Sequence, residues 1–244
     1  MKRGIYLLPN LFTTGSLLCG FYSIISSMDG LFHRAAVLII IACILDGLDG
    51  KIARFTNTTS NFGVEYDSLS DLVSFGVAPS ILAYTWALYP FGRYGWLVAF
   101  LFVACGAMRL ARFNIQIPTV DSKVFNGLPI PAAALVIATT VLFYDFMGGT
   151  GNFHHPSIPV VMFFLALLMV SNIKYYSFKD LNFFAQKPFM TFVLIVLMFV
   201  VIVLEPQIMF FAIAAGYSLS GPSWILFKAV TKKIHKERED EELQ

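Results

Sequence analysis

Charge is scarce in this chain. Only 13% of its 244 residues are Asp, Glu, Lys or Arg, against 57% hydrophobic, and the mean hydropathy is +0.73. That balance excludes a soluble globular domain and fits a polytopic membrane protein. Cysteine is scarcer still: Cys19, Cys43 and Cys105 stand singly in apolar segments with no CxxC spacing. A disulfide framework is thereby excluded, and the three read as small packing residues. Strand-like alternation, low-complexity tracts and internal repeats are missing as well, which leaves helices to cross the bilayer.

What is there is a series of apolar runs, each near the 20 residues a bilayer requires. The expected spans are Leu7 to Met28, His33 to Arg54, Asp67 to Leu88, Tyr94 to Arg112, Leu128 to Met147, Pro156 to Ile173, Phe189 to Leu204 and Gln207 to Phe227. The chain thus reads as an all-α integral membrane protein of about eight helices. Residues 1–228 form one membrane domain, and 229–244 a charged helical tail whose Lys and Arg can touch anionic lipid. The first run is too long for a signal peptide and reads as a retained helix. Of the 17 Lys and Arg, fifteen fall on one side of this layout, leaving Arg34 and Arg93 on the other. By the positive-inside rule both termini face the cytoplasm, in a multi-pass protein of the cell's inner membrane. Tyr6, Tyr66, Trp86, Tyr89, Tyr94 and Trp96 sit where interfacial aromatics are expected, and Pro79 falls inside the third span.

One polar stretch interrupts the apolar pattern, Asp46 to Asp71, DGLDGKIARFTNTTSNFGVEYDSLSD. Ionisable groups at the end of a span are expensive unless paired or bound to something, so a functional site is the default expectation. Asp46 and Asp49 are three apart, with Gly50 and Ala53 continuing their helical face; Asp67 and Asp71 are four apart, with Gly63 one turn earlier. Converging, two such helices would gather four negative charges that need cations in a low dielectric. Lys51 and Arg54 could ion-pair with them, but two cations cannot neutralise four aspartates plus Glu65. An all-oxygen cluster without His or Cys suits Mg2+, Mn2+ or Ca2+ rather than Zn2+, and divalent ions in such sites commonly work on phosphates. Gly50 and Gly63 leave room for close approach of a ligand to the backbone. Arg54, one turn past Gly50, can offer a fork of donors to a phosphate.

The pattern Asp46-x2-Asp49-Gly50-x2-Ala53-Arg54-x8-Gly63-x3-Asp67-x3-Asp71 resembles the signature of the CDP-alcohol phosphotransferases at all eight fixed positions. The resemblance implies a bundle like that family's and transfer of the phosphoryl portion of a CDP-linked lipid or alcohol to a second alcohol, with CMP released. It implies Asp46, Asp49, Asp67 and Asp71 as ligands of two divalent ions, Mg2+ or Mn2+, with Asp71 also the general base. Asp49, Gly50, Ala53, Arg54, Gly63 and Asp67 would line the CDP site, with Arg54 also steadying the departing charge. A Pro-Asn-x2-Thr start, here Pro9, Asn10 and Thr13, resembles one that helps form the nucleotide pocket; helix capping is the plainer reading of the same residues. A homodimer is implied by the resemblance as well.

A second polar island runs from Arg109 to Pro131. Arg109 and Arg112, three apart with Asn114 beyond, can project together and hold a phosphate or an acceptor's carboxylate, although an arginine there also simply flanks a span at the positive side. Phe75-Gly76-Val77-Ala78-Pro79, Arg109-Leu110-Ala111-Arg112-Phe113-Asn114 and Gly127-Leu128-Pro129-x-Pro131-Ala132-Ala133 resemble the phosphatidylserine synthase branch of the family, as does an eight-span layout. That branch implies CDP-diacylglycerol and L-serine as substrates, with membrane lipids around them and no nucleic-acid partner. Two other readings remain open: a sister transferase accepting glycerol 3-phosphate, an inositol phosphate or a choline-type alcohol, and a cation transporter. Against the transporter, the acids cluster at one membrane face. His154 and His155 lie on the opposite face from the aspartates and read as loop residues.

Overall fold

Helices begin where the apolar runs begin. The computed structural model describes residues 7–56, 60–116, 124–176, 190, 192–193, 196–197 and 204–242. Helix α1 spans Leu7–Met28 and α2 spans Phe32–Phe55. The third run is one continuous helical path, Asn61–Phe91. It opens with α3, Asn61–Asp71, and contains α4, Ala78–Ala83. Next come α5, Arg93–Gln116, α6, Ile130–Phe146, α7, Ser157–Val170, and α8, Pro206–Glu242. Leu8–Met28, Asn61–Phe91 and Arg93–Ile115 are long and apolar enough to cross a membrane, and Ile130–Phe146 and Ser157–Val170 are shorter apolar helices. Helix α2 is as long, and its last third carries Asp46, Asp49, Lys51 and Arg54.

The third span starts six residues before its expected position, because Ser60 caps it: its hydroxyl accepts from the Gly63 N–H at 3.0 Å. Two prolines lie in this span, and each follows a π-helical turn, Leu72–Val77 before Pro79 and Tyr84–Leu88 before Pro90. A proline ring clashes with the carbonyl four residues back and lacks an N–H; the wider turn relieves both conflicts. The seventh expected span, Phe189 to Leu204, falls mostly outside the described residues, and Tyr6 lies outside them too. Helix α8 continues through the charged stretch from 229, as expected of a helical tail.

Small residues and hydroxyls bring the helices together. Between α1 and α2, Ser16 and Ser23 donate to the carbonyls of Ala42 and Ala35 at 3.0 and 2.9 Å. Between α1 and the third span, Ser70 and Ser74 donate to the carbonyls of Thr13 and Ser16, both at 3.1 Å. Without a hydrophobic drive between helices in lipid, close backbone approach and such bonds supply the association. Gly20 marks the tightest point, where a Cβ would stand 2.6 Å from Ser74 Cα.

Two expectations are corrected by the fold. Trp86 does not face outward as an interfacial aromatic would: it is 1% exposed, stacked on Phe153 at 5.4 Å and edge-on to Tyr144 at 5.5 Å, while Tyr89, Tyr94 and Trp96 are exposed. A position near the end of a span did not reveal that the segment after α6 folds back over it, where the Phe153 N–H donates to the Trp86 carbonyl at 3.0 Å. The chain is also not purely helical. Strands β1, Val124–Asn126, and β2, Lys174–Tyr176, pair antiparallel, too short to leave an alternation in the sequence. All three cysteines are free. His155 accepts from the Ser157 N–H at the start of α7, a loop role as expected.

Candidate active site

The last two turns of α2 and the body of α3 meet, and their aspartates converge. Carboxylate oxygens of Asp46, Asp49 and Asp67 lie within 4.8 Å of one another. Asp46 is also within hydrogen-bonding reach of both Asp67 and Asp71, so the fourth carboxylate joins the same cluster. Helical spacing does this: each helix presents two acids on one face, and the contact between α1 and both helices holds those faces together.

Asp49 is buried, and the Thr13 hydroxyl donates to its Oδ2 at 2.6 Å. Asp67 Oδ1 is buried with no hydrogen-bond partner. An orphaned carboxylate oxygen among three other carboxylates fits a hard cation, and no nitrogen or sulfur ligand competes in the set. Among the described residues the one ion pair is His33 with Asp145 at 2.7 Å, far from this cluster in the fold, and Lys51 is exposed without a salt bridge. The Arg54 side chain lies outside the described residues; its backbone continues α2 one turn past Gly50.

Around the acids the geometry leaves room. A Cβ on Gly50 would meet nothing within 4 Å, and Ala53 follows on the same face. A Cβ on Gly63 would stand 3.2 Å from Ser60 Oγ and 3.5 Å from Asn10 Oδ1, so Asn10 borders the first turn of α3. Thr14 Oγ1 and the Tyr66 hydroxyl are 2.9 Å apart and close the same side. Asn10 and Gly63 thus adjoin at the first turn of α3, while Gly50 and Ala53 continue the acid-bearing face of α2.

The two arginines of α5 part ways. Arg109 is 8% exposed, has a buried Nε without a partner, and stands within electrostatic reach of Asp71. Arg112 is occupied: its Nη2 donates to the carbonyls of Asn126, Ser171 and Met169 at 2.8, 3.2 and 3.4 Å, and its Nη1 to the Val170 carbonyl and Asn172 Oδ1 at 3.1 and 3.3 Å. It closes the carbonyl end of α7 and the start of the β1 turn into a clasp. Gly127, at φ +82°, completes that clasp in a conformation that favours glycine; a Cβ there would stand 2.3 Å from the Met169 carbonyl. Two residues beyond Arg112, Asn114 donates to Ser68 Oγ at 3.0 Å and ties α5 to α3 beside Asp67. Ser68 is a residue that the sequence pattern does not single out, because no local pattern marks a bond made across 46 positions.

Comparison with known proteins agrees with this geometry. Residues 6–170 match the family described as CDP-alcohol phosphatidyltransferase. The chain is 49% identical over 181 residues to a Helicobacter pylori protein named CDP-diacylglycerol--serine O-phosphatidyltransferase, covering 73% of this chain and 75% of that one. It is 37% identical over 179 residues to a Bacillus subtilis protein of the same name, covering 70% and 91%. An archaetidylserine synthase of Methanothermobacter thermautotrophicus is 41% identical over 170 residues, covering 69% of each chain. With its four aspartates on two adjoining helix faces inside the matched region, the chain belongs to the CDP-alcohol phosphatidyltransferase family.

Proposed function

We propose that this protein transfers the phosphatidyl group of CDP-diacylglycerol to the hydroxyl of L-serine, giving phosphatidylserine and CMP. The observation that carries the chemistry is the convergence of three carboxylates within 4.8 Å around an orphaned Asp67 oxygen. The acceptor is supported by the names of the relatives: the bacterial two name serine and the archaeal one names a seryl lipid, while the lipid part differs.

Asp46, Asp49, Asp67 and Asp71 would hold the divalent ions, Mg2+ or Mn2+, two in number. When bound, such ions neutralise charge on the pyrophosphate and on the departing phosphate oxygen. Asn10, Gly50, Ala53 and Gly63 line the nucleotide end, and Thr13 orients Asp49. Arg54 steadies the departing CMP. Asp71 accepts the proton of the serine hydroxyl as its oxygen bonds to the lipid-side phosphorus and the bond from that phosphorus to the CMP oxygen breaks. Arg109 holds the carboxylate of serine beside Asp71. With Arg112 spent on the clasp, Arg109 is the donor that remains for the acceptor. In this reading the chain makes eight spans in the inner membrane, with both termini and the aspartates on the cytoplasmic side, and works as a homodimer.

The test is CMP release by the purified protein with CDP-diacylglycerol and divalent metal. Serine, glycerol 3-phosphate and inositol phosphate are supplied separately. Release with serine alone, abolished by chelator, is expected. Release with another alcohol discards the acceptor and keeps the chemistry, and no release with any of them overturns the reading.

A further inference from the structure

The end of the bundle away from the aspartates carries charge that the transfer chemistry does not use. From His33, at the start of α2, to Asp46 is roughly 20 Å along the helix axis at about 1.5 Å per residue. At that far end His33 Nδ1 and Asp145 Oδ2 are 2.7 Å apart, joining α2 to the end of α6. Both side chains are exposed, and an exposed pair of this kind contributes little to stability. Next to His33, the Arg34 guanidinium lies over the Tyr22 ring at 4.1 Å from its centroid. The ring places that cation, yet none of its N–H groups has a hydrogen-bond partner among the described residues. These three side chains line one recess of about 350 Å³ together with Gly30, Tyr144 and Gly151. A Cβ on Gly30 or Gly151 would meet nothing within 4 Å, so the recess stays open on both sides.

A second, apolar cavity adjoins the first. Trp86 and Tyr144 line both, their rings 5.5 Å apart and edge to face. This cavity of about 570 Å³ lies between α6, α7 and α8, walled by Phe143, Phe164, Leu165 and Phe211. The aliphatic hydroxyls in its lining are spent: Thr140 donates to the Val136 carbonyl at 2.6 Å, Ser218 to the Ala214 carbonyl at 2.9 Å, and Ser157 Oγ is 2.9 Å from His155 Nδ1. A polar ligand there would lose water and gain no partner, so the cavity suits a hydrocarbon chain. The recess asks for the opposite chemistry. A guanidinium with open donors binds a phosphate. Asp145, with one oxygen on His33, offers the other to an ammonium and repels a headgroup that is only anionic. A molecule that satisfies both spaces has a phosphate, an amine and a long apolar tail.

We propose that the recess of His33, Arg34 and Asp145 and the cavity beside it form a binding site for a membrane phospholipid with a zwitterionic headgroup. Its phosphate sits on Arg34 and its amine on Asp145, and one acyl chain crosses Tyr144 into the cavity between α6, α7 and α8. This lipid is bound apart from the aspartates and is not consumed by the transfer, so the inference stands or falls independently of serine as acceptor. Its test is thermal unfolding of the full-length protein, delipidated in detergent, with dioleoylphosphatidylethanolamine, dioleoylphosphatidylglycerol or dioleoylglycerol added at equal concentration. Phosphatidylethanolamine is expected to raise the melting temperature by about 5 °C in a saturable way, and the other two by a small part of that. Arg34→Gln, which removes the phosphate partner, and Ala215→Phe, which fills the cavity from α8, are expected to keep the lipid-free melting temperature and lose most of the rise. Saturating CDP-diacylglycerol should leave the rise in place. No rise, or an equal rise with either of the other lipids, overturns the inference, since the latter is the mark of bulk lipid around the bundle. A full rise in both variants overturns it as well, and so does a rise abolished by CDP-diacylglycerol, which would put the lipid in the donor's place. If one variant does not fold, the other and the lipid comparison decide.

Discussion

The Thr13 hydroxyl donates to Asp49 Oδ2 at 2.6 Å, and both residues are buried. This bond joins the first helix to the metal-ligand helix across 36 positions of sequence. It leaves the other Asp49 oxygen to the cluster. Partners of this kind orient ligands, and their loss typically lowers metal affinity by about 10- to 100-fold. Thr13→Val is therefore expected to raise the divalent-ion concentration for half-maximal CMP release by about tenfold or more, while Thr13→Ser, which keeps the donor, stays near the unaltered value. A metal titration of activity in the two variants checks it. Equal behaviour of both would leave Thr13 no part in holding Asp49.

Asp71 has a chemical duty that the other acids do not share. Positioned general bases typically contribute about 10²- to 10⁴-fold. Asp71→Asn should lower CMP release by at least about 100-fold while CDP-diacylglycerol still protects the protein against heating. Retained activity in that variant removes Asp71 as the base.

Arg112 is a structural clasp, and geometry rather than charge sets its value. Lysine keeps the charge but cannot reach the carbonyls of Asn126, Met169, Val170 and Ser171 with one fork. Hydrogen bonds inside membrane proteins average about 0.6 kcal/mol each, so losing the set should cost on the order of 2–3 kcal/mol. Arg112→Lys and Arg112→Ala are expected to lower the melting temperature alike. An Arg112→Lys variant as stable as the unaltered protein would show that charge alone suffices there.

Gly20 carries the closest helix contact in the site's foundation. A Cβ at 2.6 Å from the Ser74 Cα cannot be accommodated by a rotamer change, since the atom it meets is backbone. Gly20→Ala should push α1 from the third span, weaken the Ser74 bond to the Ser16 carbonyl and cost about 1–3 kcal/mol. Gly216→Ala, where nothing stands within 4 Å, is the neutral comparison. Thermal unfolding followed in detergent distinguishes the two.

The division between what could be read along the chain and what could not follows the range of the interactions. Membrane class, most of the helices and the aspartate cluster were legible because each rests on local quantities: apolar run length, charge scarcity, and i+3 or i+4 spacing that puts two acids on one helix face. The pairing of those faces was implied by the resemblance to the family signature, since the charges call for a cation only once the faces meet. The sequence could not reveal that Trp86 is capped by Phe153, that Arg112 is spent on the end of α7, or that Asn114 holds Ser68. Each of these joins segments far apart in the chain. Arg109 and Arg112 are the sharpest case, two arginines three residues apart that local pattern cannot tell apart. Only the packing of α5 against α7 and β1 decided that one donates to carbonyls and the other keeps a buried, unpartnered nitrogen, because a side chain's role depends on which backbone groups the fold brings within hydrogen-bond distance.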